Sequence, residues 1–214
     1  MNEQLMIFVK NLIPGMVKTR LAEDIGIDKA LDVYMELVNH TNKITKKLEM
    51  NKAVYYSLYV EVEDVWDTGG FELTSQKGET LGEKMSIAFD EAFDSNDKVV
   101  LIGSDCYELT TKIIESAFEM LEDHDVVVGP AKDGGFYLIG MKEYFPQLFQ
   151  DKEYSNDHVL NDLLATAEEL DLSVYQLPTL SDIDVIADLK ASGMDWENLG
   201  GEEGIDDESD EEIY

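Results

Sequence analysis

The chain has few basic residues, few prolines and no long hydrophobic run. Its 214 residues include 16 lysines and arginines against 47 aspartates and glutamates, which gives a formal net charge of −31. A surface this negative repels nucleic-acid backbones and anionic lipids, so we expect direct binding to neither. The apolar runs are far shorter than the roughly 20 residues that a membrane-spanning helix needs.

Cysteine is nearly absent as well. Cys106 is the only one in the chain, so no internal disulfide can form, which agrees with a reducing cytoplasm. The residues before the first apolar run, Met1 to Gln4, lack the basic region of a secretory signal. We therefore expect a cytoplasmic protein, and we interpret Cys106 as a buried, inert thiol.

What the chain does contain is an alternation of β-branched runs and amphipathic stretches, which predicts an α/β fold with a parallel or mixed sheet. Strands are expected at 4–9, 53–60, 98–102, 126–128, 136–141 and 173–177. Helices are expected at 28–48, 80–93, 112–121, 156–170 and from 184, with turns at 10–27 and an irregular stretch at 61–76. We expect one domain over residues 1–192 and an acidic, disordered tail over 193–214, for which partner binding is the alternative.

Two of the predicted strands end at small residues and an aspartate. Asp105 follows the run at 98–102, and Asp133, Gly134 and Gly135 follow the run at 126–128. Parallel strands deliver such residues to the sheet edge where α/β proteins bind ligands. Asp105 could bind Mg²⁺ or Mn²⁺ beside phosphate oxygens. Alternatively, it could bond to nearby backbone amides in a turn. Asp133 could act as a base or accept hydrogen bonds from sugar hydroxyls, and Gly134 and Gly135 would let a substrate approach the backbone closely. The alternative is a hairpin turn between strands.

The rare cations cluster in one segment after the first strand. Lys10, Lys18 and Arg20 flank a turn at Pro14 and Gly15, whose backbone N–H groups can approach an anion. If residues 17–21 are extended, Lys18 and Arg20 point to one side and could bind the phosphates of a di- or triphosphate. The alternative is a surface turn with solvated side chains.

A third carboxylate motif lies near the C-terminus. Asp182 and Asp184, two apart on extended backbone, would face the same way and could share one hard cation. Asp184 is also placed to cap the last helix, and the two roles are compatible.

Five ordered motifs resemble the DUF2064 family, over about residues 4–190. They are Phe8-Val9-Lys10 through Pro14-Gly15-Met16-Val17-Lys18-Thr19-Arg20-Leu21-Ala22, Gln76-Lys77-Gly78-Glu79-Thr80-Leu81-Gly82-Glu83-Lys84-Met85, Gly103-Ser104-Asp105-Cys106, Gly129-Pro130-Ala131-Lys132-Asp133-Gly134-Gly135-Phe136-Tyr137-Leu138-Ile139-Gly140 and Asp182-Ile183-Asp184. The family comprises glycosyltransferase-like proteins of the GT-A (nucleotide-diphospho-sugar transferase) fold, some of them named as arsenosugar-biosynthesis glycosyltransferases. The resemblance implies a Rossmann-like three-layer α/β/α sandwich that binds a nucleotide.

The resemblance also implies roles for single residues. The phosphates would be bound by Lys10, Lys18 and Arg20; the metal by Asp105 with Asp182 or Asp184; and the nucleotide pocket would be lined by Gln76, Gly78 and Gly82. The chain departs from the family pattern at Leu12, Met16, Tyr107 and 154–156. These departures leave the binding residues intact and put the acceptor side in doubt.

Together these features predict a metal-dependent, glycosyltransferase-like enzyme. It would move a group from a nucleoside diphosphate-sugar to a small-molecule acceptor, with Asp105 and Asp133 as catalytic residues and Mg²⁺ or Mn²⁺ as cofactor. One alternative is a nucleotidyltransferase that releases pyrophosphate from a nucleoside triphosphate. Another is a non-catalytic nucleotide-binding protein. The sequence does not separate these functions.

Overall fold

A seven-stranded sheet lies at the centre of the computed structural model, which describes residues 2–150, 152–154 and 156–200. In chain order its strands are β1 (Glu3–Val9), β2 (Asn51–Tyr56), β3 (Phe71–Ser75), β4 (Lys98–Ile102), β5 (Val126–Pro130), β6 (Phe136–Met141) and β7 (Val174–Gln176). The spatial order is β3-β2-β1-β4-β6-β5-β7, and all strands except β6 run in the same direction. The predicted mostly parallel sheet is therefore confirmed.

Helices cover both faces of this sheet. They are α1 (Thr19–Ile25), α2 (Ile27–Thr45), α3 (Leu81–Phe93), α4 (Thr111–Met120), α5 (Val159–Glu169) and α6 (Ile186–Ala191), with 3-10 turns at Pro146–Leu148 and Trp196–Asn198. Buried side chains of α1, α2, α4 and α6 pack on one face, and those of α3 and α5 pack on the other. This arrangement is the expected three-layer α/β/α sandwich.

Strand β4 shows why the sheet was readable from the sequence. Val100 and Ile102 contribute to the core under α2 and α4, while Val99 and Leu101 contribute to the core under α3 and α5. All five residues of the strand are buried. A strand with helices on both sides is apolar along most of its length, here from Val99 to Ile102, and such a run ends visibly where the chain meets solvent.

Two short elements lie where the sequence predicts none. Strand β3 falls within the predicted irregular stretch at 61–76; it is an edge strand, mostly half-exposed, so it lacks a continuous apolar run. Helix α1 occupies residues that were predicted to be turns and extended chain. That helix changes the direction in which its basic residues point, with consequences for the site.

The chain after α6 packs on α2 as far as the structure describes it. The ammonium of Lys29 donates to the carbonyls of Glu197 (2.9 Å) and Leu199 (2.5 Å), and Met194 is buried. Residues 193–200, which the sequence assigns to the tail, therefore belong to the packed part of the molecule. Most of the predicted tail, residues 201–214, lies outside the described residues.

Among the described helices, none is long and apolar enough to cross a membrane.

Candidate functional site

The predicted site residues meet at the carboxyl edge of the sheet. Lys10 follows β1, Asp105 follows β4, Asp133 follows β5 and Asp182 follows β7. Because these four strands are parallel, their ends emerge on the same edge of the sheet. The antiparallel β6 begins there, so the short connection from β5 to β6, which carries Asp133, stays at the edge.

A buried ion pair joins the basic segment to the end of β4. The Lys18 Nζ lies 2.9 Å from Asp105 Oδ1; the Lys18 side chain is 3% exposed and that of Asp105 is 35% exposed. Asp105 Oδ1 is completely buried and has no hydrogen bond of good geometry. Burial alone would raise the pKa of Asp105, but the charges of Lys18 and Lys10 outweigh it and lower the pKa. Asp105 is therefore held as a carboxylate.

The backbone at Lys18 explains this geometry. Lys18 has φ 47° and ψ 43°, the left-handed conformation, and it is the residue immediately before α1. The condition of extended backbone at residues 17–21, under which Lys18 and Arg20 would point to one side, is therefore not met. Since the helix begins at Thr19, Lys18 turns inward to Asp105 while Arg20 stays 68% exposed. The two cations thus have different surroundings.

Arg20 forms the second link between the basic segment and the carboxylates. Its Nη1 donates to Asp184 Oδ2 at 2.5 Å, and both side chains are substantially exposed. The N–H groups of Asp184 and Val185 bond to the Asp188 carboxylate, so Asp188 rather than Asp184 binds the backbone at the start of α6. The predicted capping role of Asp184 is therefore wrong.

Negative charge is concentrated around Asp182. Burial, followed by the nearby charges of Asp105, Asp133 and Asp184, raises the pKa of this carboxyl to about 7, against the lowering effect of Lys18. Asp105 and Asp133 are distant from Asp182 in the sequence and influence it only because the fold brings them together.

The described residues contain no group of three or more His, Cys, Asp or Glu side chains arranged to hold a metal. Asp105 and Asp182 nevertheless offer hard oxygen donors in a negatively charged place, which is the chemistry that Mg²⁺ and Mn²⁺ prefer. The raised pKa of Asp182 indicates an excess of negative charge around it, whereas Asp105 Oδ1 already faces the Lys18 ammonium. Asp184, the third predicted ligand, is paired with Arg20.

The glycines beside Asp133 pack closely on the neighbouring chain. The Asp133 carboxylate accepts a hydrogen bond from the Gly135 N–H at 2.9 Å. Gly134 has φ +91°, and a Cβ placed there would lie 2.2 Å from the carbonyl oxygen of Asp157. The Gly134 carbonyl accepts from Leu160 N at 3.0 Å. Gly134 therefore has a packing role in connecting the Asp133 turn to the start of α5.

Replacing Gly134 with alanine is expected to lower the free energy of unfolding by about 1–2 kcal/mol, because the side chain meets a carbonyl and the backbone is left-handed. Gly103→Ala is the matched control, since a Cβ at Gly103 has nothing within 4 Å. Urea unfolding of both variants measures the difference. Equal losses would contradict the packing role.

The three residues predicted to line a nucleotide pocket lie around the start of α3. Gln76 follows β3, and its Nε2 donates to the Tyr55 carbonyl at 3.0 Å. Gly78 has φ +114°, and Gly82 lies against the Tyr154 ring at the edge of an open groove of about 640 Å³. In the turn before α1, Gly15 has φ +76°. Contact of these residues with a nucleotide stays a prediction.

Two polar side chains that no motif of the sequence singles out connect the segments at this edge of the sheet. Tyr34 of α2 bonds to the ends of both β1 and β4. Asn11 is buried and bonds to the chain around Ser57, Leu58 and Tyr59, after β2. In the sequence, Tyr34 occupies one of the apolar positions of an amphipathic helix. The only sign of a polar role was that its side chain carries a hydroxyl at a position predicted to be in the core.

Cys106 agrees with its interpretation as a buried thiol. It is 3% exposed, and burial, followed by the charge of Asp182, raises its pKa to about 12. A thiol with this pKa is a poor nucleophile near neutral pH.

Comparison with known proteins finds a family and several transferases that this chain resembles. The family described as "Uncharacterized protein conserved in bacteria (DUF2064)" matches residues 40–156. A 2-phospho-L-lactate guanylyltransferase of Methanocaldococcus sp. (strain FS406-22) is 27% identical over 143 residues, covering 63% of this chain and 59% of the relative. The chain thus spans about three fifths of the length of the curated relatives it matches.

Solved structures give the same fold. A provisionally named nucleotide-diphospho-sugar transferase from Desulfovibrio desulfuricans G20 has a TM-score of 0.82 and 30% identity, covering 94% of this chain and 92% of that one. The inositol-1-phosphate CTP transferase of T. maritima has a TM-score of 0.57 and 16% identity, covering 89% and 94% of the two chains. At that identity the second likeness concerns the fold alone.

Proposed function

The chain belongs to the DUF2064 family, and we propose that it is a nucleotidyltransferase, which transfers a nucleoside monophosphate from a nucleoside triphosphate to a phosphorylated small molecule. The acceptor would carry a phosphate group, and pyrophosphate would be released. This proposal reverses the order of the two enzymatic functions given by the sequence analysis, where the glycosyltransferase came first.

One observation carries the proposal: cations from residues 10–20 and carboxylates from residues 105–184 converge at one sheet edge. Lys18 lies 2.9 Å from Asp105, and Arg20 lies 2.5 Å from Asp184. A triphosphate needs cations for its leaving pyrophosphate, and its metal needs carboxylates close by. A site with both groups in contact suits a metal-bound triphosphate.

The relatives favour nucleotidyl over glycosyl transfer. The matching curated proteins are named guanylyltransferases, which supports a nucleoside triphosphate as donor. By analogy, a phosphorylated hydroxy acid such as 2-phospho-L-lactate is the first acceptor to test. The match covers about three fifths of those proteins, so the acceptor and the nucleobase of the triphosphate are left to the assay.

In the proposed reaction, a phosphate oxygen of the acceptor attacks the α-phosphorus of the triphosphate. A new O–P bond forms to that phosphorus, the bond from it to the bridging oxygen of the β-phosphate breaks, and pyrophosphate leaves with the electron pair. Exposed Lys10 and Arg20 would stabilise its charge. To bind pyrophosphate, Arg20 would have to break its ion pair with Asp184. This would cost little stability, because exposed ion pairs contribute little.

Asp105 and Asp182 fit the metal that this family's fold implies. These two aspartates would hold Mg²⁺ or Mn²⁺, which when bound would supply positive charge that neutralises the phosphates. Lys18 would stay beside Asp105 and keep it ionised. A phosphate monoester is already largely deprotonated at pH 7, so Asp133 would orient the acceptor and no general base is required.

The test is release of pyrophosphate from GTP, CTP, ATP or UTP with Mg²⁺ or Mn²⁺, with and without 2-phospho-L-lactate and other phosphorylated acids. We expect release that depends on metal and acceptor with at least one triphosphate. Release without acceptor would indicate hydrolysis, and none under any condition would contradict the proposal.

Glycosyl transfer is the second candidate, because the similar Desulfovibrio protein is named for nucleotide-sugars. The same assay separates the two functions. Transfer or hydrolysis of a nucleotide-sugar, with nucleoside diphosphate as product and no pyrophosphate from triphosphates, would establish it. Nucleotide binding without turnover of either donor would favour the non-catalytic alternative.

A further inference from the structure

A buried tyrosine of α2 connects the two strand ends that bear the site. Tyr34 is 1% exposed, and its ring belongs to the core between the sheet and α2. Its hydroxyl lies at the carboxyl edge of the sheet, beside Lys10 and Ser104. A buried hydroxyl needs such hydrogen-bond partners, because leaving it without them is costly.

The hydroxyl finds its partners on two different strand ends. The backbone N–H of Lys10, the first residue after β1, donates to Tyr34 Oη at 2.7 Å. Ser104 Oγ, on the residue before Asp105, lies 2.9 Å from the same oxygen. Neither bond belongs to the sheet, whose ladder between β1 and β4 stops at Ile7 and Ile102. Beyond that point, Tyr34 joins the two segments.

From these contacts we propose that Tyr34 is a positioning residue, which fixes Lys10 relative to Asp105 through its hydroxyl. This inference rests on the proposed function, in which Lys10 binds a phosphate of the nucleotide and Asp105 holds the metal. Displacement by about 1 Å of a group that positions a substrate can cost on the order of 100-fold in rate. The hydroxyl therefore acts on catalysis without touching the nucleotide.

The ring and the hydroxyl of Tyr34 can be separated by mutation. Lys18 Nζ lies 5.9 Å from the ring centroid, a contact that phenylalanine preserves. Tyr34→Phe keeps the core packing and the Lys18 contact and removes only the link between Lys10 and Ser104. Ser104→Ala removes one half of the link and leaves the bond to Lys10.

Tyr56 provides the matched control. It is 2% exposed, and its hydroxyl donates to Asp64 at 2.7 Å, outside the proposed site. Tyr56→Phe therefore removes one hydroxyl from an equally buried tyrosine. Any effect of general destabilisation should appear in both phenylalanine variants.

The experiment compares the wild type with Tyr34→Phe, Ser104→Ala and Tyr56→Phe. Amide exchange by NMR, without nucleotide, should show the Lys10 amide exchanging at least about 10-fold faster in Tyr34→Phe, but not in Tyr56→Phe. With triphosphate, Mg²⁺ and acceptor, kcat should fall about 10- to 100-fold in Tyr34→Phe and less in Ser104→Ala. Tyr56→Phe should keep kcat within about 2-fold.

Unchanged protection of the Lys10 amide in Tyr34→Phe would overturn the proposal, and so would equal losses of kcat in the two phenylalanine variants. If the wild type turns over no triphosphate, the proposed function fails. The exchange result then still decides whether Tyr34 fixes Lys10, because that measurement needs no nucleotide.

Discussion

Asp105→Asn is expected to abolish pyrophosphate release, with a loss of at least about 10³-fold, and to lower the free energy of unfolding by about 3 kcal/mol. The first effect follows because asparagine is neutral and a poor ligand for the metal. The second follows because Lys18, only 3% exposed, would lose the carboxylate with which it is paired. Removing one partner of a buried pair leaves the other uncompensated, which is the costly case.

Asp184→Asn is the control for the stability effect. It removes one partner of the exposed pair with Arg20, so the loss should stay below about 1 kcal/mol. Urea unfolding at pH 7 and the pyrophosphate assay measure both variants. Equal destabilisation by the two changes would show that Lys18 and Asp105 do not form the buried pair described here, and full activity of Asp105→Asn would remove Asp105 from the site.

Asp182→Asn is expected to stabilise the protein at alkaline pH. In the folded protein, burial and the charges of Asp105 and Asp133 raise the pKa of Asp182 to about 7, whereas an aspartate in the unfolded chain titrates near pH 3.9. The folded state therefore binds this proton more tightly. The stability from the bound proton is complete below about pH 4 and is lost as pH rises through 7.

Asparagine stays neutral and avoids this loss. The shift from about 3.9 to about 7 is about three pKa units at about 1.4 kcal/mol each, so we expect a gain approaching about 4 kcal/mol at pH 8, roughly 8–16 °C in Tm, which vanishes near pH 4. Thermal unfolding from pH 4 to 9 measures it. Asp90→Asn, an exposed change on α3, controls for loss of one negative charge. A gain that does not vary with pH, or one matched by Asp90→Asn, would contradict the crowding of carboxylates around Asp182.

The sequence was informative where a residue's role is set by its neighbours along the chain. The strand ends that carry Asp105 and Asp133 were located because buried parallel strands end abruptly. Helix α4 begins at Thr111, one residue before the start that the apolar pattern at 112–121 predicts. Both features depend on a few consecutive residues.

The sequence was uninformative where a role depends on a distant partner. The direction of Lys18 is set by a left-handed backbone that lysine rarely adopts, which no local pattern announces. The hydroxyl of Tyr34 has a role only because β1 and β4, far apart in the chain, are neighbours in the sheet. Contacts of this kind require the fold before they can be seen.

The pairing of β1 with β4 has a further consequence for how the molecule is made. Residues 3 and 98 are adjacent in the sheet, so during synthesis the inner edge of β1 has no permanent neighbour until β4 leaves the ribosome. An apolar strand waiting that long is exposed to wrong pairing, and parallel contacts between distant segments form slowly. We therefore expect slow refolding of the full chain after dilution from urea, and a demand for chaperones in the nascent chain that eases once residue 102 has left the ribosome.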